Sequence, residues 1–136
     1  QYGVYDNDPA NADIYGYLYN WFAVDDSRGI CPSGWHVPTG GSVPSVTENT
    51  ILADYLGGRE IAGGKLKEAG TTHWNSPNTG ATNESGFTAL PGGYRRYHLD
   101  GIFSQLGNGA YFWTSTENNS NSAWYRQLYY SISKVD

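Results

Sequence analysis

The groups on this chain that could move a proton or hold a metal are three histidines, thirteen carboxylates and one thiol. Their spacing does not gather them. His36, His73 and His98 lie far apart, and His36 sits in a proline-bounded run where a structural hydrogen bond is the plainer role. No H-E-x-x-H pair, no G-x-S-x-G elbow and no phosphate loop occurs, so zinc, serine and nucleotide chemistry lose their usual sequence support. A glycosidase needs two paired acids, and nothing singles out two of the thirteen. Asp6, Asp8 and Asp13 offer hard oxygens for calcium, but acids at the start of a helix need no ion to explain them. No catalytic residue, metal ligand or cofactor is assigned, and calcium stays an alternative that no motif supports.

The residues that do cluster are those of a recognition surface. Asn118, Asn119, Asn121, Tyr125, Gln127 and Tyr129 combine amphipathic rings with short amides. Tyrosine offers contact area at low entropy cost and asparagine adaptable hydrogen bonds, which is the chemistry of a paratope and also suits sugar stacking. An ordinary wet strand face would carry Tyr and Gln as well. The clustering favours binding. Trp113 and Trp124 are expected in the core instead.

Periodicity suggests the elements that must position these groups. Asp8-Pro9-Ala10-Asn11 reads as a helix entry, and Ile14, Tyr15, Leu18, Tyr19 and Phe22 continue an apolar stripe, predicting one helix over roughly residues 10–23. Asp25 to Gly29 is a turn, and Ile30 to Pro38 can hold at most a very short strand. Gly40 to Pro44 reads as a loop. Ser45-Val46-Thr47-Glu48 matches a capping box ahead of Ile51, Leu52, Tyr55 and Leu56, with Gly57-Gly58 as the stop. From Gly63 to Gly92 regular structure fades into a long loop, for which Trp74 and Phe87 are the expected buried pins. Strands are predicted at 93–97, 109–116 and 122–130, with a turn over 117–121. On the last strand Trp124, Arg126, Leu128 and Tyr130 alternate with Tyr125, Gln127 and Tyr129. Helices first and antiparallel strands after make an α+β pattern in one domain, residues 1–136.

Composition excludes several classes. Lys plus Arg total 8 against 13 acids, a net charge of −5, so the basic stripe that nucleic acid or an anionic membrane requires is missing. No apolar run approaches the roughly 18–20 residues of a transmembrane helix. No basic-then-apolar leader occurs, so any export signal is expected to lie outside this chain or to have been removed. The 12 Tyr, 5 Trp and 18 Gly, with Met absent, suit a loop-rich module with an aromatic face. Cys31 stands alone. It reads as a small buried hydrophobe or as half of a disulfide whose partner lies outside the chain, and least as a reactive thiol.

Several long motifs carry a family resemblance: Tyr17-Leu18-Tyr19-Asn20-Trp21-Phe22-Ala23-Val24, Cys31-Pro32-Ser33-Gly34-Trp35-His36-Val37-Pro38-Thr39 and Gly63-Gly64-Lys65-Leu66-Lys67. Gly86 to Arg95 and Phe112-Trp113-Thr114-Ser115-Thr116-Glu117 complete the set. Together they resemble the major paralogous domain of Fibrobacter succinogenes, the FISUMP domain, over nearly the whole chain. The resemblance implies a secreted or lipid-anchored protein of Bacteroidota or their relatives. It also implies a C-type-lectin-like fold, in the branch that includes formylglycine-generating-enzyme-like domains. Those relatives rely on cysteine chemistry that a lone Cys31 cannot reproduce, which argues against an enzyme. Sugar-binding lectins of this fold hold calcium with Glu-Pro-Asn or Gln-Pro-Asp loops and a Trp-Asn-Asp strand. Neither stands here, and Trp74-Asn75-Ser76 is only a fragment.

The chain also departs from that family. Members usually begin upstream of Gln1 and end downstream of Asp136, with a strand carrying a Gly-Phe-Ser-Val-Arg-Cys-type motif. The first and last strands are therefore expected to be missing, and the cysteine of that motif is the implied partner of Cys31. An acid and a Trp often stand where Val46 and Asn49 are found, and Gly40 to Pro44 looks inserted, so the second helix is expected to pack differently. Glu117 to Asp136 is dense in Asn, Tyr and Ser, with Ile132 and Asp136, all reached from an Asn codon by changes at adenine. That resembles the hypervariable region of proteins diversified by retroelements. A plain family preference for these residues accounts for it equally, and both readings stand.

The expectation is an extracellular, cell-surface or phage-surface module, not an enzyme, that binds a glycan or surface protein through its C-terminal face. The alternative is a self-assembling adhesion or filament subunit completed by strands from another chain.

Overall fold

The computed structural model describes residues 2–42, 45–96 and 101–136. His98, the Tyr97 end of the strand predicted at 93–97, and the end of the loop at residues 43–44 lie outside the described residues.

The N-terminal third holds two helices where the periodicity predicts one. β1 (Tyr2–Gly3) leads through a 3-10 turn at Tyr5–Asn7 into α1 (Pro9–Tyr15). Asp8 caps α1, its Oδ1 accepting from the Ala10 N–H at 3.0 Å, with Pro9 in the first turn where its missing donor costs nothing. At Gly16 the backbone turns to φ 74°, and Leu18–Tyr19 leaves the helix to form β2 against β1, with Tyr2 opposite Tyr19. Asn20 then caps the single-turn α2 (Trp21–Val24), its Oδ1 accepting from Ala23 N–H at 3.1 Å. The helix predicted over 10–23 is corrected here. A glycine stop and a fresh cap inside the run outweigh the apolar spacing.

The second predicted helix forms as α3 (Glu48–Tyr55), but its capping box sits two residues further on. Thr47 Oγ1 accepts from Thr50 N–H, and Thr50 Oγ1 accepts from Thr47 N–H at 2.8 Å. Glu48 is thereby released to bind elsewhere. Gly57 and Gly58, at φ 100° and 102°, stop α3 as expected. They do not end the helical region, because α4 (Arg59–Leu66) starts at once. Sequence reading misses α4 since its C-terminal half is Gly63-Gly64, a poor helix former. Packing explains the pair. A Cβ on Gly63 would run into the Lys134 carbonyl, and one on Gly64 into the Gly80 carbonyl.

The long loop that follows is pinned by Trp74, which is 1% exposed and donates its indole N–H to Ala89 O at 2.9 Å. Phe87, the other expected pin, is 55% exposed and only rests edge-on against Phe112. The second pin is instead Lys67. It is wholly buried, and its ammonium donates to the carbonyls of Thr79, Tyr129 and Ile132, each at 3.0 Å. Three carbonyls match its three donors, so a buried cation is satisfied without a counter-charge.

Two hairpins close the chain. β3 (Gly92–Arg95) pairs with β4 (Phe103–Leu106), and β5 (Gly109–Asn119) with β6 (Ser122–Tyr129), all antiparallel. β4 is absent from the sequence reading, and β5 runs three residues beyond the predicted strand end at 116. The core is small: Leu56, Leu66, Trp74, Leu128 and Val135 with Ala53, Ala62, Ala89 and Ala110. It lies where α3 and α4 meet β5, β6 and the C-terminal residues. Trp113 and Trp124, expected inside it, are only half-buried. The architecture is α+β, with three two-stranded sheets.

Candidate functional site

The β5–β6 register decides which side chains share a face. Tyr111 lies opposite Gln127, and Trp113 opposite Tyr125. Directly opposed residues project to the same side, so Tyr111, Trp113, Tyr125, Gln127 and Tyr129 form one face, while Ala110, Phe112, Arg126 and Leu128 form the other. The rings on the first face touch in series. Tyr94 of β3 stands 4.8 Å from Tyr111, Tyr111 6.1 Å from Tyr125, and Tyr125 6.0 Å from Trp113. The series crosses to the N-terminal region, because the Trp113 indole donates to Tyr19 O at 2.8 Å. Tyr19, Tyr17 and Tyr2 then pack on one another with centroids 5.0 to 6.5 Å apart. At the other end the Arg96 guanidinium lies over Tyr94 and donates to its hydroxyl at 3.2 Å.

Edge-to-face contacts hold each ring against its neighbour, so the surface is preorganised. Tyr111 is half-buried among these rings. Burial, with the phenols of Tyr94, Tyr129 and Tyr125 around it, pushes its hydroxyl up to about 12. Tyr125 stays 47% exposed, Tyr17 50% and Tyr2 66%, leaving these rings open to a partner. All seven rings line an open cleft of about 1950 Å³.

The six residues expected to bind divide by place. Asn119, Asn121 and Tyr125 line this cleft. Asn118 lines a second groove, of about 880 Å³, which Tyr125 borders as well. Gln127 and Tyr129 share the face of Tyr125 but border neither cavity. The Tyr129 hydroxyl is drawn to Gln105 Oε1 at 3.4 Å, and Asn118 and Asn119 are partly engaged in the turn, bonding Ser122 Oγ at 3.0 Å and Asn121 N–H at 2.9 Å. Tyr94, Tyr111 and Trp113 join the face unforeseen. The period-2 alternation of β5 could have signalled Tyr111 and Trp113, whereas only the folded chain brings Tyr2, Tyr17 and Tyr19 alongside.

The second groove runs between α3 and the outer edge of β6. Its lower end is already a ladder. Val135 bridges Leu128, and Gln127 exchanges two backbone hydrogen bonds with Asp136, of 2.7 and 3.1 Å. The strand alternation that turns the Gln127 N–H and C=O outward does the same for Tyr125, whose outward groups meet no backbone partner among the described residues.

The titratable groups occur as pairs. Glu48 accepts from the Thr39 N–H at 2.8 Å and meets His36 Nε2 at 2.7 Å, and these partners hold its carboxyl below the usual value. Glu68 meets His73 Nδ1 at 2.8 Å, and after burial its charge is the second cause that raises the Tyr15 phenol. No group of three or more metal-ligating side chains exists among the described residues. Cys31 is half-buried and unpaired among them.

A family model for the Fibrobacter succinogenes major domain matches residues 1–135. The chain belongs to that family. No curated protein and no solved structure matches it. In this major domain the long sequence motifs serve mainly to position other segments. Thr114 is fully buried and donates to Trp124 O at 2.9 Å, while the Ser115 N–H donates to Pro38 O at 3.0 Å and ties the Cys31–Thr39 run to β5. The Trp21 indole donates to Thr114 O at 3.2 Å and docks α2 on the same strand.

Proposed function

We propose that this domain is a non-catalytic recognition module that binds a glycan or a surface protein through the aromatic face and the Asn-rich hairpin tip. Its α+β arrangement is read as a form of the C-type-lectin-like fold, and its setting as extracellular: secreted, lipid-anchored or on a phage particle. The observation that carries the reading is the preorganised run of rings that passes through Tyr125, with Asn119 and Asn121 lining the same cleft. Rigid amphipathic rings beside adaptable amides are what low-cost recognition uses. The Asn, Tyr and Ser of the tail fall largely on this hairpin, which would place retroelement-type variation on a surface that tolerates it. Binding is tested on a glycan array and on displayed surface proteins with the intact domain and its Tyr125→Ala variant. Equal binding by the two would remove the face from the reading.

A specific observation favours a second role. The Gln127–Asp136 ladder points along the free edge of β6 into the second groove, so an extended segment from another chain could continue it, as in strand complementation. That subunit role predicts ordered oligomers in light scattering, where the recognition module alone predicts monomers.

A further inference from the structure

Resting on the recognition reading, we infer that the occupant of the main cleft is a neutral polysaccharide chain, lying along the rings from Tyr94 to Tyr2. The site is thus longer than the C-terminal hairpin, and its far limb is built by β1, β2 and the residue before β2.

Four observations carry this. The surface is continuous: Tyr94, Tyr111, Tyr125 and Trp113 touch in sequence, and the Trp113 indole bond to Tyr19 O joins them to the Tyr2, Tyr17 and Tyr19 cluster. A linear chain of repeating units matches an elongated row of repeating rings. Second, the row is made of tyrosine and tryptophan alone, with no Leu, Ile, Val or Met in it. Each unit therefore offers an apolar ring face with a polar rim, the same alternation that a pyranose offers with its C–H face and equatorial hydroxyls. Third, the row itself contains no Lys, Arg, Asp or Glu, and two arginines that line the same cleft are engaged by the backbone: Arg95 donates to Gly101 O and Arg126 to Gly41 O, while Asp25 and Glu117 stand at the cleft's border. Arg96 at its end is already stacked on Tyr94 and bonded to its hydroxyl. An uncharged row on a protein of net charge −5 complements a neutral chain and disfavours an acidic one. Fourth, Asn119 and Asn121 border the same cleft and supply amide donors and acceptors of the kind that select hydroxyls.

Native affinity electrophoresis tests this with hydroxyethyl cellulose, laminarin and galactomannan as neutral probes and alginate as the acidic one. The intact domain is expected to be retarded by at least one neutral probe and not by alginate. Tyr125→Ala and Tyr17→Ala should each weaken that retardation about fivefold or more, the loss typical of an aromatic anchor. Tyr2→Ala, at the most exposed ring of the row, is the second probe of the far limb should Tyr17→Ala fail to fold. Retardation lost in Tyr125→Ala but kept in Tyr2→Ala and Tyr17→Ala confines the ligand to the hairpin and overturns the extended site. No retardation by any neutral probe, or retardation by alginate alone, overturns the neutral-polysaccharide assignment. If a displayed surface protein still binds in a Tyr125-dependent way, the recognition reading survives that result. Neutral-probe retardation unchanged in all three variants overturns the aromatic site and leaves glycan recognition to another surface.

Discussion

Buried Lys67 and half-buried Tyr111 show how much a single residue can carry beside so small a core. Lys67 has no counter-ion among the described residues, and its stability rests on three backbone carbonyls and on the Trp74 ring 5.3 Å away. Lys67→Met keeps the stem and removes the donors, leaving three carbonyls without their partner in the interior. The expected cost is about 3 kcal/mol, at the upper end for stranding buried polar groups, read as a lower urea midpoint with an unchanged slope. Tyr111 gives a test in pH. Its folded phenol titrates at about 12, against 10.0 for the free group. Between those values the unfolded chain has released the proton and the folded chain has not. Its stabilising contribution is therefore present below pH 10 and is lost as pH rises from 10 towards 12. Thermal melts across that window should fall more steeply for the intact domain than for Tyr111→Phe. Neither role was legible beforehand. Nothing in the Gly63-Gly64-Lys65-Leu66-Lys67 run marks its last lysine as buried, and the enclosure of Tyr111 depends on Tyr94, a residue of the other hairpin.

At the scale of elements, what could be read locally came out and what depended on distant packing did not. The Asp8 cap, the Gly57-Gly58 stop and the last two strands are written in a few adjacent residues each. The Gly16 break was missed because the spacing of Ile14, Leu18 and Phe22 fits a helix, while the partner that draws Leu18–Tyr19 away is Tyr2–Gly3. α4 was missed for a related reason: its glycines are bad for a helix in isolation and required by the neighbours they touch. Gly64→Ala makes the conflict measurable. Alanine should favour the helix by about 1 kcal/mol on propensity alone. Here its Cβ would meet the Gly80 carbonyl, a backbone atom that cannot swing aside, so the variant should be less stable than the parent in calorimetry despite the better helix former. A stabilised Gly64→Ala would mean that α4 and the 80s loop are not packed as described.

Taken whole, the molecule is more open than its size requires. Its accessible surface is 8361 Å², against about 7,000 Å² expected for a monomer of this mass. Much apolar area remains outside the core, with Phe22 78%, Tyr55 85% and Ile51 57% exposed. The aromatic cleft and the β6 groove are two consequences of that openness, and they make different demands. Ring faces attract a ligand without altering the sheet, whereas a strand edge with outward N–H and C=O groups at Tyr125 attracts another strand. If the edge is used, association should strengthen with concentration, and light scattering should follow it. Ile51→Lys is the discriminating variant: it places a charge on the α3 wall of the β6 groove, at an exposed position that does not line the aromatic cleft. It should return an associating protein to monomers without reducing retardation by a neutral polysaccharide. Association that persists in Ile51→Lys would assign the contact to another surface, with the exposed rings of Phe22 and Tyr55 the next to be tested, and would leave the β6 groove without a part in assembly.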